Sequence, residues 1–385
     1  MKPESLEGRE KVQRSSSRGR LKVKVSIFTS KVGKSLQKVS EHIGEILVER
    51  GHDVAIILGD YLDPEKVDFD SAIIVMPVDL VWCVGYFYLW YRISTLGKPV
   101  FYYGTIEGEV KNPQRYMWVR ERLWFIANSN YTKRKLENAG FEVRDVIYHG
   151  VKTDFFSDAD AHGKLIREKI DRSGDKFIVG YLASSHMRKG HMLAAKVMER
   201  VKKKDRSIRF LVVSEIQAKR HYEHLDNVIF VPSFGKLTED GVKAFYGAID
   251  LYAHFALAEG FGLPVLEALA AGRMVVHALY EPLTEITTRA VSFRVPVRTI
   301  LWYSEVSGIN FELHVYDVDD FADTIIEAKE AIMRMKKDEI MQLTRSRASE
   351  FDVRKVYSRF ADIIEGKVKL DADQNISLWI KTYKR

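Results

Sequence analysis

Short apolar runs alternate with polar stretches whose apolar residues recur every three or four positions, and this rhythm fills most of the chain. Residues 22–29, KVKVSIFT, begin in strict alternation and end as a solid apolar run, the pattern of a strand entering a core. A helical spacing follows over 36–50, Gly51 ends it, and DVAIIL at 53–58 reads as a second strand. SAIIVM at 71–76 and KPVFYY at 98–103 continue the series, and 104–108 reads as a loop at the carboxyl edge of the last of these strands. The rhythm restarts at KFIVGYL, 176–182, and runs through strands at 209–214, 227–234, 250–256 and 274–277, with helices over 192–203 and 239–247. Continuous apolar strands separated by amphipathic helices predict parallel sheets covered on both faces. The fold class is α/β, with two Rossmann-like doubly wound domains in tandem.

The boundaries follow from where the rhythm lapses. Residues 1–20 are polar and basic and predict a disordered tail. Residues 21–165 form the first domain and 170–352 the second, with the linker around 155–175 near Arg172-Ser173-Gly174-Asp175. FADTIIEAKEAIMRM and VRKVYSRFADIIEG read as two amphipathic helices, and 353–385 is expected to carry helices that cross back to the first domain. Residues 378–384 read as a last helical turn, and the stretch 288–310 shows no clear period. The run 71–91 is apolar and aromatic, but Pro77 and Asp79 interrupt it, so a strand and an aromatic-rich helix, either plain core or an acceptor-facing surface, are expected rather than a membrane span.

Length and composition add constraints. A chain of 385 residues suits two cores, and 46% hydrophobic with 29% charged residues is ordinary for a water-facing globular protein. One cysteine, Cys83, excludes an intrachain disulfide and fits a reducing compartment, so a cytoplasmic location is expected. Much of the net charge of +7 sits in the first two dozen residues, at Lys2, Arg9, Lys11, Arg14, Arg18, Arg20, Lys22 and Lys24. Peripheral contact with an acidic membrane face fits such a tail; nucleic acid is not the expected partner.

The chemistry centres on residues 258–272, AEGFGLPVLEALAAG. A glycine-rich loop runs into a helix with Pro264 read as its first residue, Glu267 in its first turn and Gly272 as its stop. Free N–H groups at such a start attract a phosphate. Glu259 and Glu267 flank it, seven residues apart. Carboxylates repel phosphate and suit hydroxyls, so the ligand predicted is a phosphate with hydroxyls at both ends, a nucleotide sugar. SKVGKS at 30–35 is no phosphate loop of the Walker type, because Phe28 stands where the first glycine is needed. No His, Cys and Asp cluster has metal-ligand spacing.

EGFGLPVLEALAAG resembles the Glu-(seven residues)-Glu motif of the retaining GT-B glycosyltransferases of family four, the glycosyl transferases group 1. The flanking IDLYAHFALAE and VVHALYEPLTEI, the element SNYTK at 129–133 and HGV at 149–151 extend the resemblance, which covers most of 22–365. It implies a GT-B fold with two domains facing a central cleft, and a retaining, hexosyltransferase-type enzyme that needs no metal or cofactor. The second domain would bind a nucleotide-diphosphate sugar donor. The first would offer the surface for an acceptor of unknown class, glycan, lipid or protein. Lys189, in MRKG, would bind the donor diphosphate and Glu259 the sugar hydroxyls, the two catalytic positions. Arg188, Gly260, Phe261, Gly262, Leu263 and Glu267 would complete the donor site, Glu267 through the ribose. Gly33, Lys34, Thr105 and Glu107 would line the acceptor side.

The chain departs from the family in three places. Tyr181 follows Gly180 where an arginine is usual, so either Arg188 substitutes or Lys189 and backbone amides alone hold the phosphate. Gly104 or Thr105 stands where the family has a sugar-contacting histidine, with Thr105 or Glu107 in its space. Glu281-Pro282 replaces glycines before the later glutamate, Glu285. His149 and His186 reach the cleft only by loop position and read as structural. Loops at Ser214-Glu215 and Ser233-Phe234-Gly235 are expected to choose the base. The other readings are a phosphorylase or epimerase on the same fold, and a degenerate GT-B protein that binds nucleic acid or an anionic surface.

Overall fold

The structure, a computed structural model, describes residues 22–368 and 370 apart from 32, 60–62, 79, 121 and 305–308. The basic tail, the turn at 378–384 and Val32 therefore lie outside the described residues. The first unit runs β1 (Lys24–Thr29), α1 (Lys34–Glu49), β2 (Asp53–Leu58), β3 (Ser71–Pro77), α2 (Leu80–Thr95), β4 (Val100–Thr105), β5 (Gly108–Val110), α3 (Met117–Arg120), β6 (Trp124–Ala127), α4 (Asn130–Asn138) and β7 (Glu142–Val146). Six of its strands form a parallel sheet in the order β2-β1-β3-β4-β6-β7.

The second unit begins with α5 (Ala159–Ile170), β8 (Phe177–Leu182), α6 (His191–Lys204), β9 (Ile208–Val213), β10 (Val228–Val231), α7 (Glu239–Ala248) and β11 (Leu251–His254). It continues with α8 (Leu263–Ala270), β12 (Met274–Ala278), α9 (Leu283–Ile286), β13 (Ser292–Val295), β14 (Val297–Ser304), β15 (Ile309–Tyr316), α10 (Val318–Arg334), α11 (Lys337–Ser349) and α12 (Val353–Ile364). Its parallel sheet has the order β10-β9-β8-β11-β12-β13. The chain switches direction across this sheet between β8 and β11, where ligands of doubly wound folds collect beyond the carboxyl ends of the strands.

The aromatic run after β3 divides: one side is core, while Tyr88 and Tyr91 are exposed. In α2, Tyr86, Phe87, Leu89, Trp90 and Ile93 are buried, and Phe87 meets the rings of Tyr102, Tyr116, Phe125 and Phe141. Truncating a phenylalanine so enclosed costs about 3–5 kcal/mol. Among the described residues no helix is long and apolar enough to cross a membrane. The chain returns to the first unit at its end, where α12 packs on α1: Arg50 bridges to Asp362 and Glu365, each at 2.9 Å, and Phe360 lies edge-on to Tyr103.

Four expectations are corrected. The stretch 104–108 is not a loop, because Gly104 and Thr105 pair with Met76 and Pro77 as the end of β4, and β5 starts at Gly108. The stretch 288–310 holds β13, all of β14 and the start of β15. Seven of the eight residues of β14 are exposed, so no alternation of apolar and polar residues marks it; antiparallel pairing with β15 holds it. The C-terminal region has three helices, not two, since α11 buries only Ile340, Thr344 and Ala348 and leaves little apolar signal. Helix α8 starts one residue early, at Leu263, because Gly262 takes a φ of 100° that turns the chain there. Pro264 is then the second helical residue, and Glu267 falls beyond the first turn.

A third sheet joins the units. Strand β5 of the first pairs antiparallel with β15 of the second, at Ile309↔Val110, Asn310↔Glu109 and Phe311↔Gly108. The approach is tight: a Cβ on Gly108 would lie 1.9 Å from the Asn310 carbonyl oxygen.

Candidate active site

The loop after β8 and the loop after β11 meet at the switch point of the second sheet. A short turn over Met187–Lys189 is capped by His186, whose Nδ1 accepts from the Arg188 N–H at 3.3 Å, and Gly190 in the left-handed region leads into α6. The turn aims Arg188 and Lys189 at the next loop. Lys189 Nζ lies 2.5 Å from Glu259 Oε1, and Arg188 donates to the Ala258 carbonyl at 3.1 Å and approaches Glu259 Oε2 at 3.4 Å. Arg188 also reaches across the units to Glu107, at 2.6 Å. Lys189 is 9% exposed and Glu259 6%, so these charges face one another with little water between them.

Burial alone would push the Glu259 carboxyl up, but Lys189, His254 and Arg188 outweigh it and hold it well below the usual carboxylate range. Burial pulls the Lys189 ammonium down, with Arg188 adding to the effect and Glu259 resisting it. Arg188 is raised despite burial, through Glu107 and Glu259. The centre therefore holds an ionised glutamate and two cations in a low-dielectric space, where each is strongly felt by an incoming charge.

Gly260, Phe261 and Gly262 follow Glu259 into α8, and among the described residues no acceptor meets their N–H groups. Phe261 packs edge-on to His149, 5.0 Å between ring centres. His149 is buried, bonds the Tyr103 hydroxyl at 2.8 Å and is brought down to about 3 by burial, so it is a neutral wall beneath the loop. Glu267, on the inner side of α8, accepts from the Tyr246 hydroxyl at 3.0 Å and faces Lys38 of α1 at 3.4 Å. A cavity of about 20 Å³ lies beside Lys38, Leu263 and Glu267, room for about one water.

The structure brings Glu107 and Thr105 to this centre. Thr105 Oγ1 accepts from Asn128 Nδ2 at 2.7 Å, and a Cβ on Gly260 would lie 2.4 Å from that oxygen. Gly33 and Lys34 are less direct: Gly33 starts α1 with a φ of 97°, and exposed Lys34 bonds Gln37. The residue of α1 that meets the site is Lys38, one turn further on. Three residues here were not indicated by the sequence. Lys38 had only its helical spacing from Lys34 to mark it. Asn128 bonds the Gly260 carbonyl at 3.2 Å as well as Thr105. His254 ends β11 with Nε2 3.0 Å from Glu259 Oε1, off the line of a good hydrogen bond. A histidine inside the apolar LYAHFA was the available signal. Glu285 spans the units: its carboxylate accepts from the N–H groups of Asn130 and Tyr131 at 2.8 and 2.7 Å and from the Tyr148 hydroxyl. Among the described residues no group of three or more His, Cys, Asp or Glu could hold a metal ion.

Two doubly wound sheets closed on a charged centre at a switch point define a GT-B protein, and the fold comparisons agree. The Anabaena HepE structure solved with UDP and glucose superposes with a TM-score of 0.63 over 89% of this chain and 99% of that one, at 15% identity. Sucrose-phosphate synthase from Thermosynechococcus elongatus gives 0.64 over 89% and 98%, at 14% identity. Residues 176–328 match the family model of glycosyl transferases group 1. In sequence the chain is similar to the uncharacterized glycosyltransferase 335 of Sulfolobus islandicus rod-shaped virus 1, 27% identical over 346 residues that cover 88% of this chain and all of the relative. Glycosyltransferase function is what the family match and these relatives support.

Proposed function

We propose that the protein is a retaining glycosyltransferase that takes a hexose from a uridine diphosphate sugar. The observation that carries the reading is the Lys189–Glu259 pair with Arg188, set beside the N–H groups of Gly260 to Gly262 at the switch point. An ammonium that gives one N–H to Glu259 has two left for a diphosphate, and Arg188 adds a planar fork suited to phosphate oxygens. Together they stabilise the charge that grows on the leaving diphosphate. Glu259 accepts from hydroxyls of the donor sugar and Glu267 from the ribose; charge-assisted bonds of this kind are the strong ones. The leaving phosphate takes the proton of the incoming acceptor hydroxyl, so a protein base is not required and the usual histidine is dispensable. Thr105 and Glu107 hold the facing wall. The uridine base is favoured because HepE structures hold UDP and UDP-glucose.

The test is a thermal-shift screen against UDP, UDP-glucose, GDP and ADP, followed by NMR of the product anomer. A donor at 100 times its Kd adds about 2.7 kcal/mol to stability. No shift with any nucleotide overturns the donor assignment, and an inverted anomer overturns retention. Because two side-chain cations serve the diphosphate, activity is expected to survive EDTA; loss restored by magnesium overturns that assignment.

A further inference from the structure

A groove of about 370 Å³ opens on the β12 side of the centre, between α4 of the first unit and the β14–β15 hairpin of the second. That volume is within the usual range of about 300–1,000 Å³ for small-molecule sites. Arg134, Lys135, Tyr280, Glu281, Glu312 and His314 are among its walls. It adjoins the charged centre through one residue. His314 donates its N–H to the Leu257 carbonyl at 2.8 Å, and the Leu257 N–H donates to the Arg188 carbonyl at 2.7 Å. Tyr280 lies flat on His314, 4.2 Å between ring centres and 6° between planes.

Two features define what the groove accepts. Its charges are already matched: Arg134 pairs with Glu281, and Lys135 pairs with Glu312 at 2.6 Å and Glu109 at 3.5 Å. Among the described residues an anion finds no spare cation there, whereas hydroxyls can both donate to the carboxylates and accept from the cations. The second feature is an exposed aromatic ring at the edge of the groove. Trp302 and Ile300 stand opposite Glu312 and His314 in the hairpin register, so all four share one face. Trp302 is 52% exposed, and Lys135 Nζ lies 5.6 Å from its ring centre, which turns that ring towards α4. The C–H face of a pyranose ring packs on an indole, while its hydroxyls take the polar edge.

We propose that this groove binds the neutral saccharide portion of the acceptor, with Trp302 as the stacking platform. The inference rests on the glycosyltransferase reading and adds the acceptor's class and place. The test is saturation-transfer NMR on the UDP-saturated full chain, with maltotetraose, cellotetraose, mannotetraose and the acidic tetragalacturonate as probes. At least one neutral tetrasaccharide is expected to give transfer, reduced at least tenfold in Trp302→Ala and largely restored in Trp302→Phe. The UDP-induced rise in Tm is expected to be the same in all three proteins, which shows the variants are folded with the donor site intact. The proposal is overturned if no neutral tetrasaccharide binds, if only the acidic one binds, or if Trp302→Ala binds as well as wild type. An absent UDP shift in wild type counts instead against the donor reading, so the two failures are distinguishable.

Discussion

Replacing Glu259 by glutamine keeps the shape of the centre and removes its one buried anion next to Lys189. Lys189 Nζ, 2.5 Å from that carboxylate in the wild type, then sits in a nearly dry space beside Arg188. Breaking a buried pair by removing one partner costs about 3–5 kcal/mol. A ceiling also exists, because the stranded lysine can release its proton: from a free value near 10.4 to neutral pH this costs about 4.6 kcal/mol. The expected loss at pH 7 is therefore about 3–4.6 kcal/mol. The sign of its pH dependence follows. The folded variant holds Lys189 below its unfolded value, so the unfolded chain binds more protons between the two, and stability recovers as pH rises towards 10.4. Urea unfolding of wild type, Glu259→Gln, Lys189→Met and the double variant at pH 7 and pH 9 measures this. The double variant should be less destabilised than the sum of the singles. A Glu259→Gln loss under about 1 kcal/mol at pH 7, or one independent of pH, would refute the argument that this carboxylate holds the lysine charged.

Other outcomes are expected. Glu285→Ala removes acceptors from two N–H groups at the start of α4, and should cost about 1.5–3 kcal/mol for a charge-assisted cap, read from urea midpoints. Gly108→Ala places a Cβ 1.9 Å from the Asn310 carbonyl oxygen, so amide exchange at Ile309 to Phe311 should rise sharply while the parallel sheets stay protected. Glu365 is pushed up by burial but held at about 2 by Arg50 and Lys367, against 4.5 when free. Its contribution is full above 4.5 and is lost as pH falls towards 2, so Glu365→Gln should flatten the acid limb of stability in that window.

Much of the architecture is legible because parallel strands buried on both faces write themselves as apolar blocks, and every strand of the two large sheets except β13, a four-residue SFRV, falls on or beside one. The stop at Gly272 was equally plain, since it uses a residue type the backbone geometry demands. The third sheet was not. Its middle strand is paired on one side with three residues some two hundred positions away, and its outer strand faces water on both sides; neither leaves a period. The centre divides the same way. Arg188, Lys189 and Glu259 announce themselves by motif, whereas Lys38, Asn128 and His254 become neighbours only once the two units close. That closure depends on register and on crossings that no local pattern encodes.

The β5–β15 seam turns domain motion into a timing problem. Hinged halves held by side chains alone part by sliding water into a polar gap, one contact at a time. Here three residue pairs of main-chain ladder must unzip together before the halves can move far apart. Beside Glu267 the space admits about one water, so the ribose of the proposed donor would enter there only when the halves part. On that reading the dwell time of the zipped state would set the pace of every cycle, the first included. Substitutions on β5 or the hairpin would then act as throttles on the proposed transfer, changing its pace without touching Lys189 or Glu259.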